Sequence, residues 1–175
     1  MQPGKPKKAT GWLDVLRAGI LTVSDRSWHG SRPDASGPEL ADMLRGHGIE
    51  VAWVAVCPDE EPDISNILIS WADDQGADLI LTTGGTGVSP RDVTPEATAA
   101  VVTRTVPGMA ETMRIASAGK TPHAMLSRAI AGVRGRTLII NLPGSPKGAI
   151  ENLEAVMPAV AHAIAKIQGD SSDCV

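Results

Sequence analysis

The 175-residue chain contains no phenylalanine and no tyrosine, and its aromatic content of 2% consists of four tryptophans. The core must therefore be built from alanine, valine, isoleucine, leucine and methionine. Proteins that bind single-stranded nucleic acid commonly stack bases on aromatic side chains, which are scarce here. The net charge of −4 also disfavours a broad surface for a phosphate backbone. We therefore expect no nucleic-acid partner.

Cysteines and long apolar runs are also scarce. The two cysteines, Cys57 and Cys174, form neither a disulfide framework nor a zinc site by themselves, and the four histidines show no metal-ligand spacing. No run of about 18 apolar residues occurs that could span a membrane. Residues 1–10 carry no apolar signal core. We therefore expect a cytoplasmic protein with no membrane partner.

Length and composition indicate one globular domain. The chain is 42% hydrophobic and 21% charged, which is typical of such domains. A chain of this size buries about 70% of its unfolded surface. We expect a flexible leader at residues 1–14, one domain over residues 15–168 and a C-terminal tail at residues 169–175. We find no internal repeat or linker inside that domain.

Hydrophobic periodicity predicts strands that alternate with helices. The expected strands cover residues 18–23, 49–56 and 78–82, with a possible hairpin of residues 130–133 and 137–142. The expected helices cover residues 36–46, 60–75, 107–119, 122–128 and 149–167, with one more starting at Thr94 as its cap. This alternation favours an α/β fold with a mostly parallel sheet and helices on both faces, arranged as three α/β/α layers.

The loops that follow the predicted strands should form one ligand-binding rim. In parallel sheets, ligands gather beyond the carboxyl ends of the strands. The loops concerned are residues 24–34, 58–61, 83–92 and 143–147. We expect all four to lie together.

The loop after the third predicted strand carries the strongest sign of a ligand site. It contains Gly84, Gly85 and Gly87 among hydroxyl side chains, and it ends at Arg91-Asp92. Glycines let backbone N–H groups approach phosphate oxygens and permit positive φ angles. The loop matches neither the dinucleotide fingerprint nor the P-loop, so a plain turn remains an alternative. The phosphate-binding candidates are Thr83, Gly84, Gly85, Thr86, Gly87, Ser24, Asp25, Pro143, Gly144 and Ser145.

Two of these segments have plainer interpretations. Ser24-Asp25-Arg26 could be a turn with an internal Asp–Arg pair, and Pro143 to Lys147 could simply begin the next helix. Ser127-Arg128 offers a hydroxyl and a guanidinium after a short helix, but without further evidence the sequence favours ordinary surface polarity for that pair.

Two acidic residues are candidates for a metal site. Asp92 could be a turn acid beside the next helix, and Asp59 could cap a helix. If they face each other across the rim, two carboxylates would suit Mg²⁺, which prefers oxygen ligands and substrate phosphates. The sequence alone leaves both interpretations open.

Several motifs occur in order along almost the whole chain, from about residue 17 to 168. They are Ser24-Asp25-Arg26, Pro58-Asp59-Glu60, residues 81–87, residues 90–98, Pro107-Gly108, residues 125–128 and residues 141–146. Together they resemble the molybdopterin adenylyltransferase family, which includes the G domain of gephyrin. The block from the glycine-rich loop to Asp92-Val93-Thr94-Pro95-Glu96 is highly specific as a set.

The resemblance implies transfer of AMP from ATP to the terminal phosphate of molybdopterin, with release of pyrophosphate and with Mg²⁺. It implies catalytic and metal-binding roles for Asp59 and Asp92, and substrate-binding roles for Ser117 and Ser127, to which we add Arg128. It also implies a homotrimer, and we add a possible hand-over of product to a molybdate-inserting enzyme.

Two other functions remain open. The chain could bind molybdopterin as a scaffold without turnover. It could also be a molybdate-inserting enzyme, although the larger relatives of that kind carry extra domains.

Overall fold

A computed structural model describes residues 15–171, so the predicted leader and the end of the predicted tail lie outside the described residues. The described strands are β1 (Arg17–Val23), β2 (Glu50–Cys57), β3 (Leu79–Thr83), β4 (Arg104–Thr105), β5 (Ala131–Arg134) and β6 (Thr137–Leu142). The described α-helices are α1 (Asp25–Trp28), α2 (Ser36–Gly46), α3 (Glu61–Ile69), α4 (Thr94–Val101), α5 (Pro107–Ala118) and α6 (Pro146–Ile167). A π-helical turn (Ser70–Asp74) and a 3₁₀ turn (Pro122–Leu126) complete the set.

The strands form one sheet in the order β2-β1-β3-β6-β5-β4. Strands β2, β1, β3 and β6 run parallel, whereas β5 pairs antiparallel with both β6 and β4. The mostly parallel sheet and the β5–β6 hairpin are therefore confirmed. Strand β4 was not predicted, because two residues are too few to show alternation.

Successive side chains of the central strands enter opposite layers. In β3, Leu79 and Leu81 pack with one core cluster while Ile80 packs with the other. Helices α2, α5 and α6 cover the first face, and α3 and α4 cover the second. Strands buried on both faces explain the continuous apolar runs in the sequence, and the three-layer prediction is confirmed.

Some element boundaries differ from the predictions. The helix expected over residues 60–75 is α3 followed by the π-helical turn, and helix α1 occupies part of a predicted loop. Helix α6 starts at Pro146 instead of residue 149, because Ser145 caps it by accepting a hydrogen bond from the Gly148 N–H. The helix continues through Pro158, as expected. Among the described helices, none combines the length and apolar character needed to cross a membrane.

A close contact fixes how the second layer packs on β1. Trp71 lies in the π-helical turn and its ring stacks with that of Trp53, the ring centroids being 6.4 Å apart. A Cβ atom at Gly19 would lie 2.4 Å from the Trp71 ring. Only glycine at this position lets the tryptophan pack directly on the strand.

We therefore predict that Gly19→Ala destabilises the protein by about 1–3 kcal/mol, the usual cost of overpacking a core. The measurement is urea unfolding. Gly46→Ala is the matched control, because a Cβ there would meet nothing within 4 Å; we expect it to be neutral or stabilising by up to about 1 kcal/mol. Equal effects of the two substitutions would contradict the role assigned to Gly19.

Candidate functional site

The four predicted rim loops meet at one cleft of about 860 Å³. We call it the acidic cleft. Its lining consists of residues 22–27, residues 32–36, Asp59, residues 83–87, Ser89, Arg91, Asp92 and residues 144–146. Because these segments follow β1, β2, β3 and β6, the expectation that the loops share one rim is confirmed.

The glycine-rich loop makes two close approaches that only glycine allows. Gly84 has a φ of 106°, and a Cβ there would lie 2.2 Å from the Val23 carbonyl oxygen of β1. Gly85 has a φ of 62°, and a Cβ there would lie 2.4 Å from Thr94 Oγ1 and 3.2 Å from Asp59 Oδ1. The loop backbone therefore lies against both β1 and the Asp59 carboxylate.

Thr94 anchors this loop instead of capping α4. Its hydroxyl donates to the Gly84 carbonyl at 2.8 Å, and its N–H donates to the Gly85 carbonyl at 3.1 Å. The cap position falls on Val93, which makes no side-chain capping bond. The prediction that Thr94 caps the helix is thus wrong, because the hydroxyl satisfies a buried carbonyl of the loop instead.

Asp25 and Asp59 hold each other in place through reciprocal hydrogen bonds. The Asp25 N–H donates to Asp59 Oδ2 at 2.7 Å, and the Asp59 N–H donates to Asp25 Oδ1 at 3.0 Å. Asp59 makes no side-chain cap on α3. Each carboxylate therefore satisfies the backbone of a neighbouring rim loop, so the capping interpretation of Asp59 is wrong.

Arg91 joins three of the rim loops. Its guanidinium forms a fork on the Asp25 carboxylate, with a shortest distance of 2.8 Å, and its Nη1 contacts Glu60 Oε1 at 2.8 Å. The alternative of a local pair between Asp25 and Arg26 is therefore wrong, since the partner of Asp25 comes from the glycine-rich loop.

The two coupled carboxyls have pKa values shifted in opposite directions. The hydrogen bond from the Asp59 N–H, with further help from Arg91, lowers the pKa of Asp25. Burial raises the pKa of Asp59, and the charges of Asp25 and Asp92 add to that increase. Ionised Asp59 is thus an energetically unfavourable charge, of the kind that a cation would relieve.

Asp92 lies in the same cleft as Asp59. Its Oδ2 accepts a hydrogen bond from the Ser89 N–H at 2.8 Å, and a Cβ at Gly87 would lie 2.8 Å from that oxygen. Within residues 15–171, no cluster of three or more acidic, histidine or cysteine side chains could hold a metal ion. Two carboxylates in one cleft are oxygen donors of the kind that Mg²⁺ prefers, and an ion held by them would take its other ligands from water and phosphate.

A second cleft of about 380 Å³ adjoins the first. Ser117 and Ser127 both line it, as does Pro143, and Asn152 donates to Ser117 Oγ at 3.0 Å. Three residues line both clefts, namely Thr86, Gly87 and Ser145. A molecule in one cleft can therefore approach a molecule in the other across this shared ridge.

The predicted phosphate-binding residues divide between these clefts. All except Pro143 line the acidic cleft. Two of their hydroxyls have structural partners: Thr83 Oγ1 donates to the Pro143 carbonyl at 2.7 Å, and Ser145 Oγ caps α6. Their contact with a ligand, like the assigned roles of the other site residues, stays a prediction.

Arg128 lines neither cleft and lies behind the ridge. Its Nε donates to the Gly87 carbonyl at 2.6 Å, while the two terminal nitrogens contact the Asp92 carbonyl and the Glu96 carboxylate. Its backbone N–H donates to the Thr86 carbonyl at 2.9 Å. These contacts are with the protein, and a direct substrate role for Arg128 stays a prediction.

The structure adds residues that the motifs did not single out. Asp34 accepts from Thr22 Oγ1 at 2.8 Å and from the Gly37 N–H at 3.1 Å, and it lines the acidic cleft. Its position in the polar loop after β1, one of the predicted rim loops, could have marked Asp34 as a candidate site residue. Basic residues of the second cleft, Arg114 and Lys120, lie in and just after α5, and no motif marked them.

Comparison with known proteins identifies the family. The model of a family described as a probable molybdopterin binding domain matches residues 19–162. The chain belongs to this family.

Related proteins cover most of the chain. Molybdopterin adenylyltransferase of Helicobacter pylori is 40% identical over 160 residues, covering 90% of this chain and 91% of the relative. Gephyrin of Dictyostelium discoideum is 44% identical, and the match spans 92% of this chain but only 23% of gephyrin. The crystal structure of the molybdopterin biosynthesis enzyme MoaB from Thermus thermophilus superposes with a TM-score of 0.85 at 54% identity, covering 89% of this chain and 98% of that one.

The opposite pKa shifts predict opposite effects of pH on stability. Because the pKa of Asp59 is raised, its contribution is fully present below its ordinary pKa and is lost as pH rises through the folded value. Asp59→Asn should therefore gain stability relative to the wild type as pH rises from about 4 to about 7. The measurement is the free energy of unfolding by denaturant across that range.

Asp25→Asn is the control, because the pKa of Asp25 is lowered. Its carboxylate stabilises the fold above its ordinary pKa, and that contribution is lost as pH falls through the folded value. The cost of Asp25→Asn should therefore be largest at neutral pH and shrink in acid. Curves for the two variants that move in the same direction would contradict the assignment.

Proposed function

We propose that this chain is a molybdopterin adenylyltransferase that transfers AMP from ATP to the terminal phosphate of molybdopterin with release of pyrophosphate. Several relatives named molybdopterin adenylyltransferase, among them the H. pylori protein at 40% identity, are similar to this chain over most of their length. The observation that carries the proposal is geometric. Asp59 and Asp92, which are distant in sequence, line one glycine-walled cleft that shares a ridge with a second cleft.

The acidic cleft suits the phosphates of ATP in the presence of a divalent cation. Glycine-rich backbone at Gly84 to Gly87 can approach phosphate oxygens closely. The N-terminus of the 22-residue helix α6 adds positive dipole charge at Ser145 and Pro146. Arg26 and Arg32 also line the cleft and add positive charge near its mouth.

The second cleft suits molybdopterin. Its lining combines hydroxyls at Ser117 and Ser127 with the cationic side chain of Arg114 and the ion pair of Lys120 with Glu151. These groups favour a ligand that carries both polar groups and a phosphate. The terminal phosphate would lie at the ridge of Thr86, Gly87 and Ser145. From there it faces the α-phosphate in the acidic cleft.

Asp59 and Asp92 would hold Mg²⁺, which would neutralise charge on the α-phosphate and on the departing pyrophosphate. Without a cation, the carboxylates of the acidic cleft would repel ATP. The raised pKa of Asp59 supports this assignment, because a carboxylate with unfavourable charge gains most from a bound cation.

For the transfer itself, the protein needs to position the two substrates and does not need to form a covalent bond with either. A terminal phosphate oxygen of molybdopterin forms a bond to the α-phosphorus of ATP, and the bond from that phosphorus to the bridging oxygen breaks, so that pyrophosphate leaves. Holding both anions in line is the main task. The ridge residues and the anchored loop provide fixed walls for that arrangement.

Several finer points are part of the proposal. The resemblance implies the homotrimer, and it implies the requirement for Mg²⁺ that the two carboxylates of the acidic cleft also support. We add the hand-over of product to a molybdate-inserting enzyme, and the composition of the sequence favours a cytoplasmic location. A scaffold that binds molybdopterin without turnover is the alternative function within the same family.

Incubation of the protein with molybdopterin, ATP and Mg²⁺ tests the proposal. Adenylylated molybdopterin and pyrophosphate should both appear, and both should depend on the divalent cation. Tight binding of molybdopterin without either product would support the scaffold function instead.

Asp92→Asn should lower kcat by a factor on the order of 100, the scale seen when one preorganised electrostatic contact is lost at a reacting centre. The fold should persist, because Asp92 lies at the cleft surface. Asp42→Asn is the matched control: Asp42 is 81% exposed on α2 and pairs with Arg45. Full activity of Asp92→Asn with Mg²⁺ would remove Asp92 from the metal site.

Ser127→Ala should weaken molybdopterin binding by about two- to tenfold, the cost of one hydrogen bond. The KM for ATP should change little, because Ser127 lines the second cleft only. Ser65→Ala is the control, since its hydroxyl donates to the Ala97 carbonyl between α3 and α4. An unchanged dissociation constant for molybdopterin would place Ser127 outside the binding site.

A further inference from the structure

Like the segment from Pro143 to Pro146, the segment from Thr86 to Asp92 carries groups of both clefts. Its Thr86 and Gly87 line both clefts, Asp92 lines the acidic cleft, and Val88 lines the second cleft. Between its ends the loop is exposed, and Val88 is 63% exposed. A side chain from outside the segment connects its two ends.

Arg128 makes that connection. Its guanidinium bonds the Gly87 carbonyl at one end of the exposed segment and the Asp92 carbonyl at the other, while its N–H bonds the Thr86 carbonyl. The ion pair with Glu96 then ties the same guanidinium to α4. Only a planar fork with several donors can satisfy these acceptors together.

The neighbour of Arg128 in the chain belongs to the second cleft. Ser127 lines that cleft, and its backbone carbonyl and that of Ala129 accept from Arg114 Nη1 at 3.4 and 3.0 Å. A shift of the loop that carries Asp92 must therefore move or strain the wall that carries Ser127. The walls of the two clefts are thus connected through the hydrogen bonds of Arg128.

We infer that Arg128 is a positioning residue that couples ligand binding in the two clefts. This inference rests on the proposed function, since it takes ATP and molybdopterin as the two ligands. A ligand in the acidic cleft fixes the position of the segment that carries Asp92, and Arg128 passes that position to the neighbouring Ser127 in the wall of the second cleft. Such a connection produces positive coupling, in which each ligand raises the affinity of the protein for the other by the same factor.

The test measures equilibrium binding of α,β-methylene ATP with Mg²⁺, in the absence and in the presence of saturating molybdopterin. The methylene group blocks the bond that AMP transfer would break, so binding is read without turnover. For the wild-type protein we expect molybdopterin to tighten binding of the analogue by about fivefold or more. Arg128→Lys, which keeps the charge but loses the fork, should bring this ratio close to one.

Arg134→Lys is the matched control. Arg134 also forms a fork, with the Asp73 carboxylate, and it also bonds a backbone carbonyl, that of Val101. It lies at the opposite end of the sheet, at the turn from β5 to β6, and it lines neither cleft. We expect Arg134→Lys to lower stability at most and to keep the wild-type ratio, so loss of a half-buried fork alone would not explain the result.

Two results would overturn the inference. The first is a wild-type ratio of one. The second is an unchanged ratio in Arg128→Lys; if that variant also binds molybdopterin alone more weakly, Arg128 contacts the substrate directly. If Arg128→Lys does not fold, Glu96→Gln serves as the test variant, because it weakens the ion pair that ties Arg128 to α4. A reduced ratio in Glu96→Gln supports the coupling, and an unchanged ratio contradicts it.

Failure of the proposed function can be distinguished from failure of this inference. A wild-type protein that shows coupled binding but makes no adenylylated product would contradict the enzyme assignment and support the coupling. Formation of product with independent binding in the two clefts would do the reverse.

Discussion

The close approach of backbone to backbone at the end of β3 is the constraint on which the site depends. A side chain at Gly84 would collide with the Val23 carbonyl, and one at Gly85 would collide with Thr94 and crowd Asp59. Because both positions lack a Cβ, the loop can lie against the ends of the neighbouring strands. This contact brings carboxylates from three separate loops to one cleft and leaves backbone groups at its wall.

The charges of the cleft are arranged at some cost to the fold. The ionised form of Asp25 is stabilised, because the Asp59 N–H and Arg91 both favour it. The ionised form of Asp59 is destabilised, because burial and nearby carboxylates disfavour its charge. Residues that serve function at the expense of stability are common at binding sites. Because only the charge of Asp59 is unfavourable, Asp59 is better suited than Asp25 to bind a cation.

The general plan of the molecule was predictable from the sequence, and the partners of individual side chains were not. Apolar runs of β-branched residues followed by polar loops sufficed to place four loops on one rim, because a parallel sheet puts the carboxyl ends of its strands together. The same reasoning brought Asp59 and Asp92 to one cleft. It could not show that Arg91 pairs with Asp25, that Thr94 bonds the Gly84 carbonyl or that Arg128 lies behind the ridge, since each contact joins segments whose relative position only the folded chain determines. The second cleft was harder still, because its basic residues depend on the orientation of α5.

The ridge of Thr86, Gly87 and Ser145 has a consequence for what happens after the reaction. Under the proposed function, the two substrates would bind on either side of it as separate molecules, whereas the joined product would occupy both sides at once. Linking two bound fragments makes the second contact intramolecular, so the product is held more tightly than either fragment. Its departure requires both sides to be vacated together. Under the proposed function, such retention would make release of the adenylylated product, and not bond formation, the slow step.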